Sequence, residues 1–299
     1  MSDAVYECLA TLPMFAGRAR ADLAIAPLPG LTNQSFKISM AGADYVLRLP
    51  GAGTERYLDR RQEAHNAALA ACWGIAPAVL WRDARSGVQL SRYLENSRAL
   101  TAHDLRDPAI LGRVVEVLRR LHRGSRPFQG LMELYPKLDE YLALARPAPF
   151  AAELDALRRR AEPLRPLLQR DPEPLRPCHI DPAPHNFLLA PGASARLYLL
   201  DWEYSAQCEP VWDVAGLALE AELTADEEAR LLALYYGEPS PARRPRYARY
   251  KAVLCLLATA WGAAQIALGN AADGFEGWVR ERLRRSAALL DEALQATLR

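Results

Sequence analysis

Cysteine is scarce and unpatterned in this 299-residue chain: there are five, at positions 8, 72, 178, 208 and 255, with no C-x-x-C pair. An odd, scattered set argues against a disulfide framework or a cysteine zinc site and fits a reducing compartment. An excess of one charge is lacking too. The 37 Lys and Arg against 36 Asp and Glu leave a formal net charge of +1, which gives no electrostatic reason to expect nucleic acid as a partner. The basic residues are spread through helical stretches, often as Arg pairs beside Glu, the pattern of a solvated face. The opening MSDAVYECLATLPMF has neither a basic start nor a continuous apolar core, so a secretory signal is not expected. The most apolar stretch, VLCLLATAWGAAQIALG, is about 17 residues long and contains Gln265. It is short for a membrane span and reads as a buried helix. No internal repeat is visible. These absences leave a cytoplasmic, soluble protein without membrane insertion as the expectation.

What is present divides the chain in two. In the first 95 residues, SFKISM and DYVLRLP read as a hairpin, Ser35 to Met40 and Asp44 to Pro50, joined through AGA. A helix is predicted from about Thr54 to Trp73, closed by Gly74 and Pro77. PAVLWRD and GVQLSRYL then read as two more strands around the turn ARSG. Strands around one helix predict a small mixed lobe, residues 1–95, with a hinge near 92–97. From there the pattern is helical. Asp107 is placed to cap a helix that begins with Pro108, carries apolar residues at helical spacing and ends at Gly124. Further helices are predicted at 131–146, at 150–169 and from Trp212 to Leu298. DPEPLRP, at 171–177, is too rich in proline for a helix. NFLL and RLYLLDW are the strand-like pieces of this half and predict a small hairpin. The fold class expected is α+β: a small mixed lobe with an antiparallel sheet, then a larger, mainly helical lobe over residues 96–299.

The chemistry is carried by CHIDPAPHNFLL, residues 178–189. Polar loop residues are often turn formers, because Asp and Asn bond their own backbone. Here His179, Asp181 and Asn186 also match the H-x-D-x-x-x-x-N spacing of a kinase catalytic loop, in which the Asp receives the substrate hydroxyl proton and the Asn holds magnesium. Asp201 ends the apolar run LYLL fifteen residues after Asn186, and an Asp in that place serves as a cap or as a second metal carboxylate. Magnesium takes oxygen ligands, usually one or two carboxylates with waters and substrate phosphates. Asn186 and Asp201, on the two arms of one hairpin, could supply such a site. Arg48 stands in the apolar strand YVLRLPG, where an unpaired charge is costly to bury. It could snorkel, but Glu63 on the following helix is an available partner, in the arrangement of the phosphate-holding Lys and Glu of kinases. In PLPGLTNQSFKI, Gly30, Thr32 and Asn33 form a turn able to donate to phosphate, although it is not a G-x-G-x-x-G loop.

GLTNQSFKI, YVLRLPGAGT, HIDPAPHNFLL and LLDWEYSAQCEPVWDVAGLALE together resemble the choline/ethanolamine kinase family, within the aminoglycoside-phosphotransferase-like kinases. The resemblance covers about 28–280, with the motifs in the family's order, and DWEYS followed by P-x-W-D-x-A is its most specific piece. It implies a protein-kinase-like fold and an ATP- and Mg²⁺-dependent transfer of phosphate to a small alcohol. Asp181 would be the catalytic base and Asn186 and Asp201 the metal ligands. Arg48 and Glu63 would hold phosphate, and the backbone of Tyr93, Leu94 and Glu95 would hold adenine. Two departures stand out. Pro182 to His185 fill the catalytic loop where relatives often carry a Gly before the Asn, and TAWGAAQ carries one aromatic, Trp261, where animal choline kinases show two.

A quaternary ammonium acceptor would be held by aromatic faces and a carboxylate. Trp261, Trp278, Tyr204 and Glu220 are the candidates, although a Trp on a helix is often core and Glu220 could face solvent. His179 is expected to brace the loop backbone, and Asp213 to cap a helix or order the loop. No A-P-E segment follows Asp201, so protein-kinase activity is not expected. Thiamine, homoserine, a sugar or an aminoglycoside remain alternative acceptors, and an inactive nucleotide-binding relative is the alternative to an enzyme.

Overall fold

The computed structural model describes residues 2–29, 33–51, 54, 58–190, 196–237, 243–270 and 274–297. The chain clusters into two compact units. The first takes residues 1–100 together with 186–205; the second takes 101–185 and 206–299. This differs from the two consecutive stretches expected, because the hairpin after the catalytic loop joins the N-terminal unit.

In the first unit, helix α1 (Ser2–Thr11) precedes strands β1 (Ala24–Leu28), β2 (Gln34–Met40) and β3 (Ala43–Leu49). Helix α2 (Arg60–Cys72), strands β4 (Val79–Arg82) and β5 (Gln89–Arg92), and the short β6 (Arg98–Ala99) follow. The antiparallel sheet has the order β1-β2-β3-β5-β4. The predicted hairpin is β2–β3, turned by Ala41 and Gly42, both at positive φ (50° and 76°). That two-residue turn matches the twist of the strands it joins. β1 was not foreseen: AIAPL is short and holds Pro27, which an edge strand tolerates. One face of the sheet packs Phe36, Ile38, Met40, Leu47 and Leu90 against Val5, Leu9, Leu12 and Phe15 from α1 and the turn after it.

Helix α2 starts later than Thr54. Asp59 caps it, its carboxylate accepting the N–H groups of Arg61 and Gln62, so the first-turn donors are met there. The late hairpin, β8 (Phe187–Leu189) and β9 (Leu197–Leu199), is captured by β6, which pairs Arg98 with Leu189 and Ala99 with Leu188. Leu199 N–H also donates to the Ile75 carbonyl (2.9 Å). These hydrogen bonds draw 186–205 into the first unit.

Among its described residues the second unit is helical apart from one strand pair. Helices α3 (Pro108–His122), α4 (Leu134–Leu144), α5 (Ala151–Ala161) and α6 (Arg165–Gln169) come before the catalytic loop. Pro163 and Pro166 divide the single helix expected at 150–169. The proline-rich segment ends as strand β7 (Arg176–Cys178), paired antiparallel with β10 (Ala206–Cys208), and this pairing was not foreseen. Helices α7 (Val211–Glu220), α8 (Ala225–Tyr236), α9 (Arg243–Ala267) and α10 (Phe275–Gln295) complete the unit, and α9 packs against α10, α4 and α7. Among the described residues α9 is the helix long and apolar enough to cross a membrane, and 72% of its apolar window is buried inside the protein.

Candidate active site

In the first unit a strand, a helix and a turn bring charged side chains into one buried group. Arg48, on β3, sends one guanidinium nitrogen to Glu63 on α2, the pairing expected from the sequence. Its other terminal nitrogen reaches Asp201 Oδ1 at 2.8 Å. Asn33 Nδ2 lies 3.3 Å from the same oxygen and 2.9 Å from Glu203 Oε2. Arg60 closes the group, donating from Nη1 to Glu63 Oε2 (2.8 Å) and Glu203 Oε2 (3.1 Å), and from Nη2 to Thr54 Oγ1 (2.6 Å). Arg60 and Glu203 escaped the sequence reading. Their signal was a second acidic residue inside DWEYS and an Arg in the first turn of the helix that carries Glu63.

The electrostatics follow from burial. It works to raise the pKa of the Glu63 carboxyl, but Arg48 and Arg60 together hold it below the ordinary range. Glu203 goes the other way: burial and the neighbouring Asp201 charge push it up to about 7, against the pull of Arg48, Asn33 and Arg60. Asp201 itself adopts a left-handed backbone (φ 61°) directly after the β9 arm, a conformation an Asp tolerates better than a branched residue. Asn186, 6% exposed, begins the other arm of the hairpin opposite Leu200, the residue before Asp201, its carbonyl accepting Leu200 N–H at 2.8 Å.

The structure places the other first-unit candidates less directly. Thr32 and Gly30 lie outside the described residues. Asn33 directs its amide to the two carboxylates rather than outward. In the hinge, Tyr93 N–H donates to the Asp44 carbonyl (3.0 Å), and Leu94 C=O takes both the N–H and the hydroxyl of Ser97 (3.3 and 2.5 Å). Those two groups make hydrogen bonds within the chain. Tyr204 belongs to the first unit.

The second unit holds the start of the His179–Asn186 loop, and Asp213 organises it. Its carboxylate, fully buried, accepts His179 N–H at 2.7 Å and Ile180 N–H at 2.8 Å. Trp212 Nε1 donates to the Ile180 carbonyl (2.9 Å). These bonds hold Ile180, the residue before Asp181, at φ 76°, where a β-branched side chain is strained. Asp213 thus orders the loop, and the His179 backbone takes part. Behind Asp213 stands His122 from α3, with Nε2 3.0 Å from Oδ2 and Nδ1 2.5 Å from the Tyr235 hydroxyl. A carboxylate needs a donor, so Nε2 carries the proton and Nδ1 accepts from tyrosine. Burial raises the Tyr235 pKa and keeps its proton in place. Gly216 lets α7 approach the loop: a Cβ there would lie 3.3 Å from Pro182 Cδ.

The same unit gathers the acceptor candidates. Trp261 on α9 meets Phe275 and Trp278 on α10, with ring centroids 5.9 and 6.3 Å away, and Phe275 stacks on Trp278 at 5.3 Å. Gly262 makes this possible, because a Cβ there would fall 2.4 Å from the Trp278 ring. The single aromatic of TAWGAAQ is therefore joined by two from the next helix. Glu220, the last residue of α7, pairs with Arg282 of α10 at 2.7 Å. The guanidinium carbon of Arg282 lies 4.6 Å from the Trp278 centroid. Burial lowers the pKa of His185, at the end of the loop, and the Glu220 charge opposes that shift.

Chemically, the first unit offers clustered oxygen donors beside guanidinium groups. The second offers a loop held by Asp213, and an aromatic group linked to an acid through Arg282. Comparison with known proteins gives these arrangements a family. The phosphotransferase enzyme family matches residues 24–253. Two LicA proteins of Haemophilus influenzae are each 32% identical over 73% of this chain, which spans 64% of the length of one and 81% of the other. A solved structure of a choline/ethanolamine kinase family protein from Mesorhizobium loti is 34% identical, with a TM-score of 0.82 over 97% of this chain and 94% of that one. Choline kinase LicA from Streptococcus pneumoniae, 24% identical, shares the fold with a TM-score of 0.84 over 98% of this chain and 99% of that one.

Proposed function

The chain belongs to the phosphotransferase enzyme family, and we propose that it moves the terminal phosphoryl group of ATP to the hydroxyl of a small amino alcohol, choline or ethanolamine. The acceptor assignment is carried by the aromatic group of Trp261, Phe275 and Trp278 with Glu220, in the unit that also holds Asp181. Aromatic faces attract a quaternary ammonium through the ring quadrupole, and a carboxylate adds direct charge. The relatives named as choline or ethanolamine kinases support the same acceptor class.

Asp181 is the proposed base. It takes the proton of the acceptor hydroxyl as the oxygen bonds to phosphorus and the bond from phosphorus to the ADP oxygen breaks. The loop bonds from Asp213 keep its backbone in place, so positioning precedes substrate binding. Asn186 and Asp201, with Glu203 beside them, are the groups that would hold Mg²⁺. The donor set fits a hard cation, being oxygen throughout. When bound, the ion neutralises charge on the phosphate oxygens. Arg48, kept in place by Glu63, is assigned to the nucleotide phosphates, with Asn33 before β2 and the sequence candidate Thr32. Contact with adenine falls to the remaining peptide groups of Tyr93, Leu94 and Glu95. Tyr204 is kept as an acceptor-side candidate. The thiols, free at all five cysteines, suit a reducing cytoplasm.

The test is ADP release, measured with Mg²⁺ against a panel of choline, ethanolamine, thiamine, homoserine, neutral sugars and an aminoglycoside. The reading expects the amino alcohols to lead by kcat/KM and Trp261→Ala to raise their KM by ~2–30-fold, the span of a ~0.5–2 kcal/mol cation–π contact, with KM for ATP unmoved. A neutral sugar outperforming every cationic alcohol would overturn the acceptor assignment.

A further inference from the structure

The acceptor group contains a cation of the protein's own. Arg282 Nη2 donates to Glu220 Oε1 at 2.7 Å, and the guanidinium lies against the Trp278 ring. The two partners differ in depth: the Arg282 side chain is 9% exposed and that of Glu220 30%. Arg282 Nη1 is buried and has no hydrogen-bond partner among the described residues. Arg285, one turn on, donates to the Leu219 carbonyl at the end of α7 (3.2 Å). Two arginines of α10 thus converge on the α7 C-terminus, where the helix dipole already favours positive charge. A buried pair gains little net stability over apolar groups of equal volume, and the stem of Arg282 could pack on Trp278 without its charge. A charge in that place acts on whatever binds to Glu220.

We propose that Arg282 sets acceptor selectivity by offsetting the Glu220 carboxylate from beneath. Glu220 then presents a weakened charge, and recognition of an ammonium group rests largely on the aromatic faces. A neutral alcohol of the same shape is correspondingly less disfavoured. This rests on the reading of Glu220 and Trp278 as acceptor groups. Arg282 acts through Glu220 and Trp278 and is a specificity-determining residue rather than a catalytic one.

Two readouts test it. The first is binding of tetramethylammonium to the full chain, followed by ligand-observed NMR titration without nucleotide. The second is the ratio of kcat/KM for choline to that for 3,3-dimethylbutan-1-ol, its neutral isostere. Arg282→Gln is expected to tighten tetramethylammonium binding and raise the ratio, each by about 3–30-fold, the span expected when a screened like charge is removed a few ångströms from a ligand cation. Arg282→Lys, which keeps the charge, should stay near wild type, and Glu220→Gln should shift both readouts the opposite way. Arg282→Met serves if the Gln variant does not fold. Unchanged or weaker binding in both neutral variants overturns the proposal. A wild-type chain that binds no tetramethylammonium overturns it together with the amino-alcohol reading. Tightened binding without ADP release on choline would sink the kinase reading and leave the role of Arg282 standing.

Discussion

Asp213→Asn changes one oxygen into an NH₂ group at the point where the His179–Asn186 loop is tied down. The wild-type carboxylate is completely buried and accepts three donors: His179 N–H at 2.7 Å, Ile180 N–H at 2.8 Å and His122 Nε2 at 3.0 Å. An Asn side chain has one acceptor oxygen, so either its NH₂ faces a backbone N–H or a loop donor is left buried without a partner. Hydrogen bonds to a charged group are worth ~1.5–3 kcal/mol each, and leaving a buried donor without a partner costs a further ~1–3 kcal/mol. We expect a loss of ~3–5 kcal/mol. With domain stabilities of about 5–15 kcal/mol, the variant should still fold at 25 °C. Urea unfolding should show a lower midpoint with an unchanged slope. The loop also feels the change, because Ile180 keeps its strained φ only while both N–H groups are held. The turnover number should fall by ~10–100-fold, about 1.4–2.7 kcal/mol in the barrier at 1.36 kcal/mol per tenfold, with KM for ATP near wild type. Wild-type stability together with wild-type turnover in Asp213→Asn would refute the account of how this loop is held.

Other expectations follow from the same geometry. Asp181→Asn should lower kcat by ~10²-fold or more, the loss of a positioned base, while nucleotide affinity stays near wild type; near-normal turnover would contradict its role. Arg48→Ala and Glu63→Ala should each weaken use of ATP, and their effects should be non-additive in a double-mutant cycle; strict additivity would mean that the observed pair carries no coupling. For pH, the Glu203 carboxyl is raised from 4.5 to about 7 by burial and Asp201, so between those values the folded state binds more protons than the unfolded one. Its contribution is thus fully present below about pH 4.5 and lost as pH rises through about 7. Glu203→Gln should remove that decline, and the metal-free Tm of the variant should fall less than that of wild type between pH 5 and 8; parallel curves would show that Glu203 does not titrate there.

The sequence by itself determined the elements whose physics is local. The β2–β3 hairpin follows from alternation across a two-residue turn, and α3 from its capping Asp107 and Pro108. The Asp181–Asn186 spacing is likewise written in one short segment. The Arg48–Glu63 pair could be inferred because a charge in an apolar strand demands a partner and the next helix offered one. What the tertiary structure decided depends on groups far apart in the chain. DWEYS does not reveal that Glu203 meets Arg60, 143 residues away, because burial and a second guanidinium come from another element. β6 and β7 are short and fail any periodicity test; each exists because a distant strand, β8 or β10, supplies its hydrogen bonds. His122 ends the amphipathic α3 with no local signal of its role, and folding alone set it between Tyr235 and Asp213. Glu220 could be picked out as an acid, but its pairing with Arg282, 62 residues on, was set by folding alone. A one-dimensional pattern records which side chains are available, whereas the pairing of buried charges depends on which backbones the core brings within hydrogen-bonding distance.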